Sequence, residues 1–326
     1  MEWLHRFLLR FRFYQYFLDW TKVIYLPGFR PLPLYTVASF FFKEIKQDSL
    51  VNRASSLAYS FLLATFPVFI FLFTLIPYIP VKNFQTTLLN IIATILPTNA
   101  YLAFQNTIED IVKHQNLSLL SFGFLSAMVF ATNGVAKLMK AFNKSSLVEE
   151  TRTWFKRRWI ALILTMLIAL TLFVAIMILI IGGVVTSFIQ HHFHGTKLIL
   201  KYVVMLIRWV IVVGLFFVTI AILYRYGPAN KRKWKFVSPG SILATTLAVL
   251  TSMGFSFYIN NFSSYNKIYG SIGTLIVVML WLYLNSLIIL IGFELNASID
   301  LSKRTVKIVK PKFNVFKESK TQESKH

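Results

Sequence analysis

Long uninterrupted runs of apolar residues dominate the hydrophobic pattern of this chain. Runs of about 20 apolar residues are long enough to cross the hydrocarbon core of a membrane. Because backbone N–H and C=O groups find no water there, each run is predicted to be an α-helix. The sequence therefore predicts an all-α, polytopic membrane protein whose six transmembrane helices lie at Leu57–Ile79, Leu117–Phe142, Trp159–Phe188, Tyr202–Leu223, Phe236–Ile259 and Ile272–Ala297.

Lysine and arginine residues fall on alternate sides of the six predicted spans. They are concentrated before the first span, at the end of the second span and after it, after the fourth, and in the tail. Of the 34 basic residues, those that lie elsewhere are Lys82, Lys113, Lys197, Lys201, Arg208 and Lys267. Because cytoplasmic loops carry the excess of Lys and Arg, this pattern predicts a multi-pass membrane protein with both termini in the cytoplasm. The even number of spans agrees with that orientation.

Three regions are predicted along the chain. Residues 1–52 form a basic, aromatic-rich region, residues 53–300 a six-helix transmembrane domain, and residues 301–326 a basic, disordered cytoplasmic tail. The first region has the composition of helices that lie on an anionic membrane surface, and a helix packed on the cytoplasmic loops explains it equally well. Apolar stripes at helical spacing in residues 84–96 and 101–112 predict two short amphipathic helices on the outer face.

The composition excludes several kinds of chemistry. The chain has 326 residues and no cysteine, which excludes disulfides, cysteine-ligated metals and thiol catalysis. Its 12 acidic residues are scattered, whereas metal-dependent RNA hydrolysis needs clustered carboxylate or histidine ligands. The net charge of +22 is explained by membrane orientation, so no nucleic-acid partner is predicted. Because the sequence shows no catalytic constellation, no cofactor or metal is predicted, and no enzyme. The closely spaced His191, His192 and His194 are interpreted as a solvated outer loop rather than as metal ligands.

Several motifs in the chain carry a family resemblance. In the second half they are Tyr226-Gly227-Pro228, Pro239-Gly240, Tyr269-Gly270-Ser271-Ile272-Gly273, Trp281-Leu282-Tyr283 and Gly292-Phe293-Glu294-Leu295-Asn296-Ala297. Upstream they are Leu26–Phe29, Arg53–Tyr59 and Phe66-Pro67. Across roughly residues 25 to 300, the sequence resembles the YihY/BrkB family of bacterial inner-membrane proteins, once labelled ribonuclease BN. Phe293 stands where that family usually has a small residue.

The resemblance implies a six-span protein of the inner membrane. It also implies links to envelope integrity and serum resistance, and transport of a lipid or a solute. By the same resemblance, the ribonuclease label is mistaken, which agrees with the scattered acidic residues of this chain.

Glu294 is the first candidate functional residue, because the predicted spans contain almost no other acid. A carboxylate at membrane depth is costly and usually faces a partner or a water-filled cavity. Arg53 enters the first span from the same side and is predicted to pair with it. Two interpretations stay open: a switch coupled to protons or substrate, and a fixed ion pair that joins the first span to the sixth.

Other polar side chains inside the apolar spans are further candidates. They are predicted either to line a polar path or to bond the helices together, since small and amide residues allow close helix contacts in membranes. Arg208, near the outer end of the fourth span, is predicted to extend to the interface, with an anionic headgroup as the alternative partner. The full set is Asn133, Asn285, Asn296, Tyr59, Tyr283 and Arg208.

Two classes of function follow from these features. The first is a transporter or lipid-handling protein that supports the envelope, with a lipid or amphipathic ligand and with anionic headgroups at its basic cytoplasmic surface. The alternative is a non-transporting membrane scaffold for envelope integrity that acts through that basic surface. The sequence specifies neither the ligand nor the oligomeric state.

Overall fold

The computed structural model describes residues 12–24, 33–47, 50–78, 110, 114–192, 197–230, 234–261 and 264–309. These residues form α-helices and one 3₁₀ turn, Ile76–Tyr78, with no strand among them. The helices are α1 (Arg12–Val23), α2 (Leu34–Gln47), α3 (Leu50–Leu75), α4 (Leu117–Ser145), α5 (Trp154–His192), α6 (Lys197–Tyr226), α7 (Pro239–Asn261) and α8 (Ser264–Val309).

Helices α3 to α8 are long and apolar enough to cross a membrane, which confirms the predicted all-α, six-span architecture. Two predicted region boundaries are wrong. Helix α3 begins at Leu50, so the boundary at residue 52 falls inside it, and α8 continues to Val309, so residues 301–309 are helical rather than disordered. In both cases the helix extends past its apolar run, because the backbone hydrogen-bonding ladder does not need apolar side chains to continue.

Helix α7 begins at Pro239, three residues after the predicted start of the fifth span at Phe236. Pro239 occupies the first helical position, where its missing N–H costs nothing and its fixed φ suits the helix. Ser238 precedes it, and its hydroxyl accepts a hydrogen bond from the Ser241 N–H at 3.2 Å. Ser238 therefore caps a helix that Phe236 and Val237 do not join.

The six long helices form a closed ring in chain order. Helix α4 packs along α3, α5 against α4, α6 against α5, α7 against α6 and α8 against α7. The ring closes because α8 also packs along α3. Motifs that are more than 200 residues apart in the chain are thus brought side by side.

The buried core lies at one end of the ring. It is built from the start of α3, the end of α4, the start of α5, the end of α6, the start of α7 and the second half of α8. An aromatic group fills its centre: the Phe293 ring stacks on Phe142 at 4.1 Å and contacts Tyr224 and Trp234. Phe293, the departure from the family pattern, is fully buried in this group. The basic segments all adjoin this end, which is called the basic end below.

The N-terminal helices α1 and α2 form a hairpin at the basic end. Val37 of α2 is buried against Ile299 of α8, so the hairpin packs on the long last helix rather than on loops. Its other side leaves Tyr16, Trp20 and Phe42 exposed. The two amphipathic helices predicted in residues 84–112 lie outside the described residues, apart from Asp110.

Candidate functional site

A cleft of about 920 Å³ opens at the basic end between α3, α4 and the start of α5. One part of its wall is apolar, and most of the rest is polar or cationic. The apolar part includes Leu57, Leu63 and Phe130, whereas the cationic part comprises Arg53, Lys137, Lys140, Lys144, Arg157 and Arg158. A cleft with this lining has room for a charged group beside hydrocarbon.

Helix α4 supplies the largest share of the cations. Asn133, Lys137, Lys140 and Lys144 are separated by four, three and four residues, which places them on one face of the helix. With a rise of about 1.5 Å per residue, the three lysines extend over roughly 10 Å of helix axis. Lys144 lies in the last turn of α4, where the helix dipole favours positive charge.

The cations reach across the cleft to neutral oxygen atoms. Lys137 Nζ donates to Ser60 Oγ of α3 at 2.7 Å, and Arg158 Nη1 donates to Asn133 Oδ1 at 2.6 Å. These bonds join α4 to both of its neighbours. They orient the positive groups but do not neutralise their charge.

Glu150, the one carboxylate that lines the cleft among the described residues, is already engaged. Its oxygens accept from Arg152 Nε at 2.6 Å, Arg152 Nη2 at 2.8 Å and Asn143 Nδ2 at 2.7 Å. The bonds from Arg152 hold the pKa of Glu150 below its ordinary value, so this carboxylate stays ionised and paired at neutral pH. Neither Lys137 nor Lys140 forms an ion pair with it.

Arg53 links the cleft to the buried core. Its guanidinium donates to the Ala141 carbonyl at 2.9 Å and to Ser145 Oγ at 2.7 Å, both at the end of α4. Its Nη2 also lies 3.5 Å from Glu294 Oε2, and the two side chains are 10% and 1% exposed. The structure thus places the predicted pair together, with Arg53 held more closely by α4 than by the carboxylate.

Asn296 and Asn285 have different surroundings on α8. Asn296 accepts a hydrogen bond from the Gly240 N–H at 2.8 Å and donates to Ser238 Oγ at 2.8 Å, so it completes the cap of α7. Asn285 donates to the Trp281 carbonyl of its own helix. Asn296 therefore joins α8 to the start of α7, whereas this hydrogen bond of Asn285 stays within α8.

The other sequence candidates lie in three places. Asn133 lines the basic cleft, whereas Tyr283 lines a separate, mainly apolar groove of about 450 Å³ between α3 and α8. Tyr59 is exposed on α3 and lines neither of these two cavities. Arg208 lies against α5, where a Cβ on Gly182 would come within 2.7 Å of Arg208 Cδ.

Sequence reasoning assigned Lys137, Lys140, Arg157 and Arg158 to membrane orientation alone, and so missed their common cleft. The spacing of the lysines on α4 is visible in the sequence, but it does not show which helices face it. Among the residues that the structure describes, no group of three or more His, Asp or Glu side chains is placed to hold a metal ion. His191 and His192 are the last two residues of α5, so the predicted outer loop is wrong for them, and His194 lies outside the described residues.

Comparison with known proteins identifies the family. The model of the family described as "Virulence factor BrkB" matches residues 41–313, which include the cleft, Arg53 and Glu294. The chain belongs to the BrkB family.

This BrkB-family chain has curated relatives in several bacteria. The ribonuclease-like protein YfkH of Bacillus subtilis (strain 168) is 32% identical over 253 residues, which are 78% of this chain and 91% of YfkH. A UPF0761 membrane protein of Stenotrophomonas maltophilia (strain K279a) is 27% identical over 264 residues, 79% of this chain and 59% of the relative. A UPF0761 membrane protein of Xanthomonas campestris pv. campestris (strain B100) is 24% identical over 267 residues, which are 80% of this chain and 60% of the relative.

The chain thus spans about 60% of the length of these UPF0761 relatives. No solved structure matches it. Its membership of the BrkB family and its six apolar helices make it an integral, multi-pass membrane protein.

Proposed function

We propose that this protein is a transporter or lipid-handling protein of the bacterial cytoplasmic membrane, and that its basic cleft binds the anionic headgroup of an amphipathic ligand. One observation carries the proposal: cationic and apolar side chains line the same cleft. An anionic headgroup would contact the cations, and the attached hydrocarbon would contact the apolar side chains.

The position of the cleft supports access from the membrane. Phe130, one of the apolar residues that line the cleft, is 39% exposed, so the described part of the protein does not cover it. The lysines of α4 lie in its last three turns, and their charge favours the level of the lipid headgroups. By the positive-inside rule this level belongs to the cytoplasmic leaflet.

The test is lipid binding by the purified protein in nanodiscs. Native mass spectrometry would compare phosphatidylglycerol with phosphatidylcholine carrying the same acyl chains. The wild type is expected to retain phosphatidylglycerol preferentially. Lys137→Gln combined with Arg158→Gln is expected to weaken that retention about tenfold or more, because hydrogen bonds to charged groups contribute about 1.5–3 kcal/mol.

Lys156→Gln is the matched control. Lys156 lies on α5 beside the same loop, is exposed and does not line the cleft. The control is expected to bind like the wild type. Equal retention of the two lipids by the wild type, or equal losses in the control and the cleft variant, would contradict the proposal.

A scaffold function is the second candidate, and the exposed aromatic side of the α1–α2 hairpin favours it. A scaffold would need that side and the surface lysines, but not the cleft. It therefore predicts that the cleft variant supports envelope integrity as well as the wild type does, whereas transport or lipid handling predicts a loss of that integrity. The ribonuclease-like name of YfkH is not carried over to this chain.

A further inference from the structure

Four cations of the cleft have no carboxylate partner among the described residues. Ion pairs in that part of the chain include Lys22–Asp19, Arg53–Glu294, His114–Asp110 and Arg152–Glu150. Lys137, Lys140, Arg157 and Arg158 belong to none of them, although all four line the same cleft. Glu150 is held by Arg152, so the cleft contains more positive charge than the protein neutralises.

These charges are spread out rather than gathered at one point. Lys137 and Lys140 lie about one helical turn apart on α4, and Arg157 and Arg158 face them from α5. Neighbouring like charges repel one another, and they do so less when an anion lies between them. A single negative charge would contact only part of this array.

We propose that the cleft selects a lipid headgroup with two or more negative charges, of the phosphate monoester or diphosphate class, over a phosphodiester with one charge. This inference rests on the proposed function, because it names the ligand class of the same site. A terminal phosphate presents more free oxygen atoms and a higher charge than a diester phosphate does. It can therefore accept from α4 and α5 at the same time.

The test is a charge series with constant acyl chains. The dioleoyl forms of phosphatidylglycerol, phosphatidic acid and diacylglycerol diphosphate would be titrated against wild-type protein in phosphatidylcholine nanodiscs. Phosphatidic acid and the diphosphate are expected to bind about tenfold tighter than phosphatidylglycerol at low salt, with a smaller ratio at high salt because salt screens the charges. Equal affinities across the series would overturn the inference, while binding of all three over phosphatidylcholine would leave the proposed function standing.

Two variants test which residues bind the second negative charge of the headgroup. Lys140→Gln combined with Arg157→Gln is expected to bring the affinity ratio between phosphatidic acid and phosphatidylglycerol close to one. Lys156→Gln is expected to leave the ratio unchanged. An unchanged ratio in the double variant, with its melting temperature equal to that of the wild type, would also overturn the inference.

Inorganic pyrophosphate distinguishes a lipid from a soluble source of the same chemistry. In detergent without added lipid, pyrophosphate is expected to bind at least tenfold more weakly than the diphosphate lipid, because it lacks the hydrocarbon that contacts Leu63 and Phe130. Binding of pyrophosphate with the same affinity as the lipid would assign the cleft to a soluble polyanion and overturn the assignment to a headgroup.

Discussion

At the scale of single residues, Arg53 and Glu294 depend on each other unequally. Glu294 is 1% exposed and lies 3.5 Å from the guanidinium, whereas Arg53 also donates to Ala141 and Ser145. Removing one partner of a buried pair leaves the other charge uncompensated. Loss of Arg53 would remove a cation that faces this buried carboxylate, whereas loss of Glu294 would leave Arg53 with its partners on α4.

We therefore expect Arg53→Met to lower stability by about 3 kcal/mol and Glu294→Gln by less. The double variant is expected to be more stable than Arg53→Met alone, because the buried negative charge is then removed together with the cation that faces it. Apparent melting temperatures in detergent, measured by intrinsic fluorescence for all four proteins, would check the order. Additive effects of the two substitutions would show that the pair is not coupled.

At the scale of elements, the contact between α7 and α8 depends on glycine residues, which have no side chain beyond hydrogen. A Cβ on Gly292 would come within 2.6 Å of Ala244 Cβ, of the Gly240 carbonyl oxygen and of the Tyr224 hydroxyl. Two of these neighbours are backbone or short side chain, so they cannot turn away. The helices can approach this closely only because both contain glycine there, as small residues allow in membranes.

Gly292→Ala is accordingly expected to destabilise the protein by roughly 2 kcal/mol, within the usual range for overpacking. Gly254→Ala on α7 is the matched control, since its added Cβ would meet nothing within 4 Å. There alanine is expected to be neutral or slightly stabilising, because it is the better helix former. Equal melting temperatures for the two variants would contradict the account of this contact.

The same contact shows what the sequence could and could not predict. The apolar runs predicted every long helix, and the scarcity of acids directed attention to Glu294. Asn296 was a candidate for bonding between helices, but its partner at the start of α7 depends on which helices are neighbours. The cleft lysines were missed for a related reason: the positive-inside rule explains each of them singly, so nothing in the sequence required them to share a cavity.

At the scale of the whole molecule, the basic end, the packed core and the cleft coincide. The core occupies the end of the ring that adjoins the basic segments, while apolar side chains in the opposite halves of the helices are largely exposed among the described residues. In a membrane these exposed surfaces face lipid or other parts of the chain. The orientation of the ring therefore decides which leaflet the cleft serves.

Single cysteines can test that orientation, because the chain has none of its own. Ser118 lies exposed in the first turn of α4, and Thr151 lies exposed in the loop between α4 and α5. A membrane-impermeant maleimide is expected to label Ser118→Cys on intact spheroplasts and Thr151→Cys only after permeabilisation. The reverse pattern would put the basic end, and the cleft with it, on the outer side.

The length of α8 has a mechanical consequence. Its 46 residues extend for about 69 Å, well beyond the roughly 45 Å of a bilayer with its headgroups. Gly292, where α7 touches it most closely, lies about 42 Å from the Ser264 end and about 26 Å from the Val309 end. When α8 tilts about this contact, its Ser264 end moves about one and a half times as far as its Val309 end. The α1–α2 hairpin packs on α8 at Ile299, between Gly292 and the Val309 end, and would move with that part of the helix.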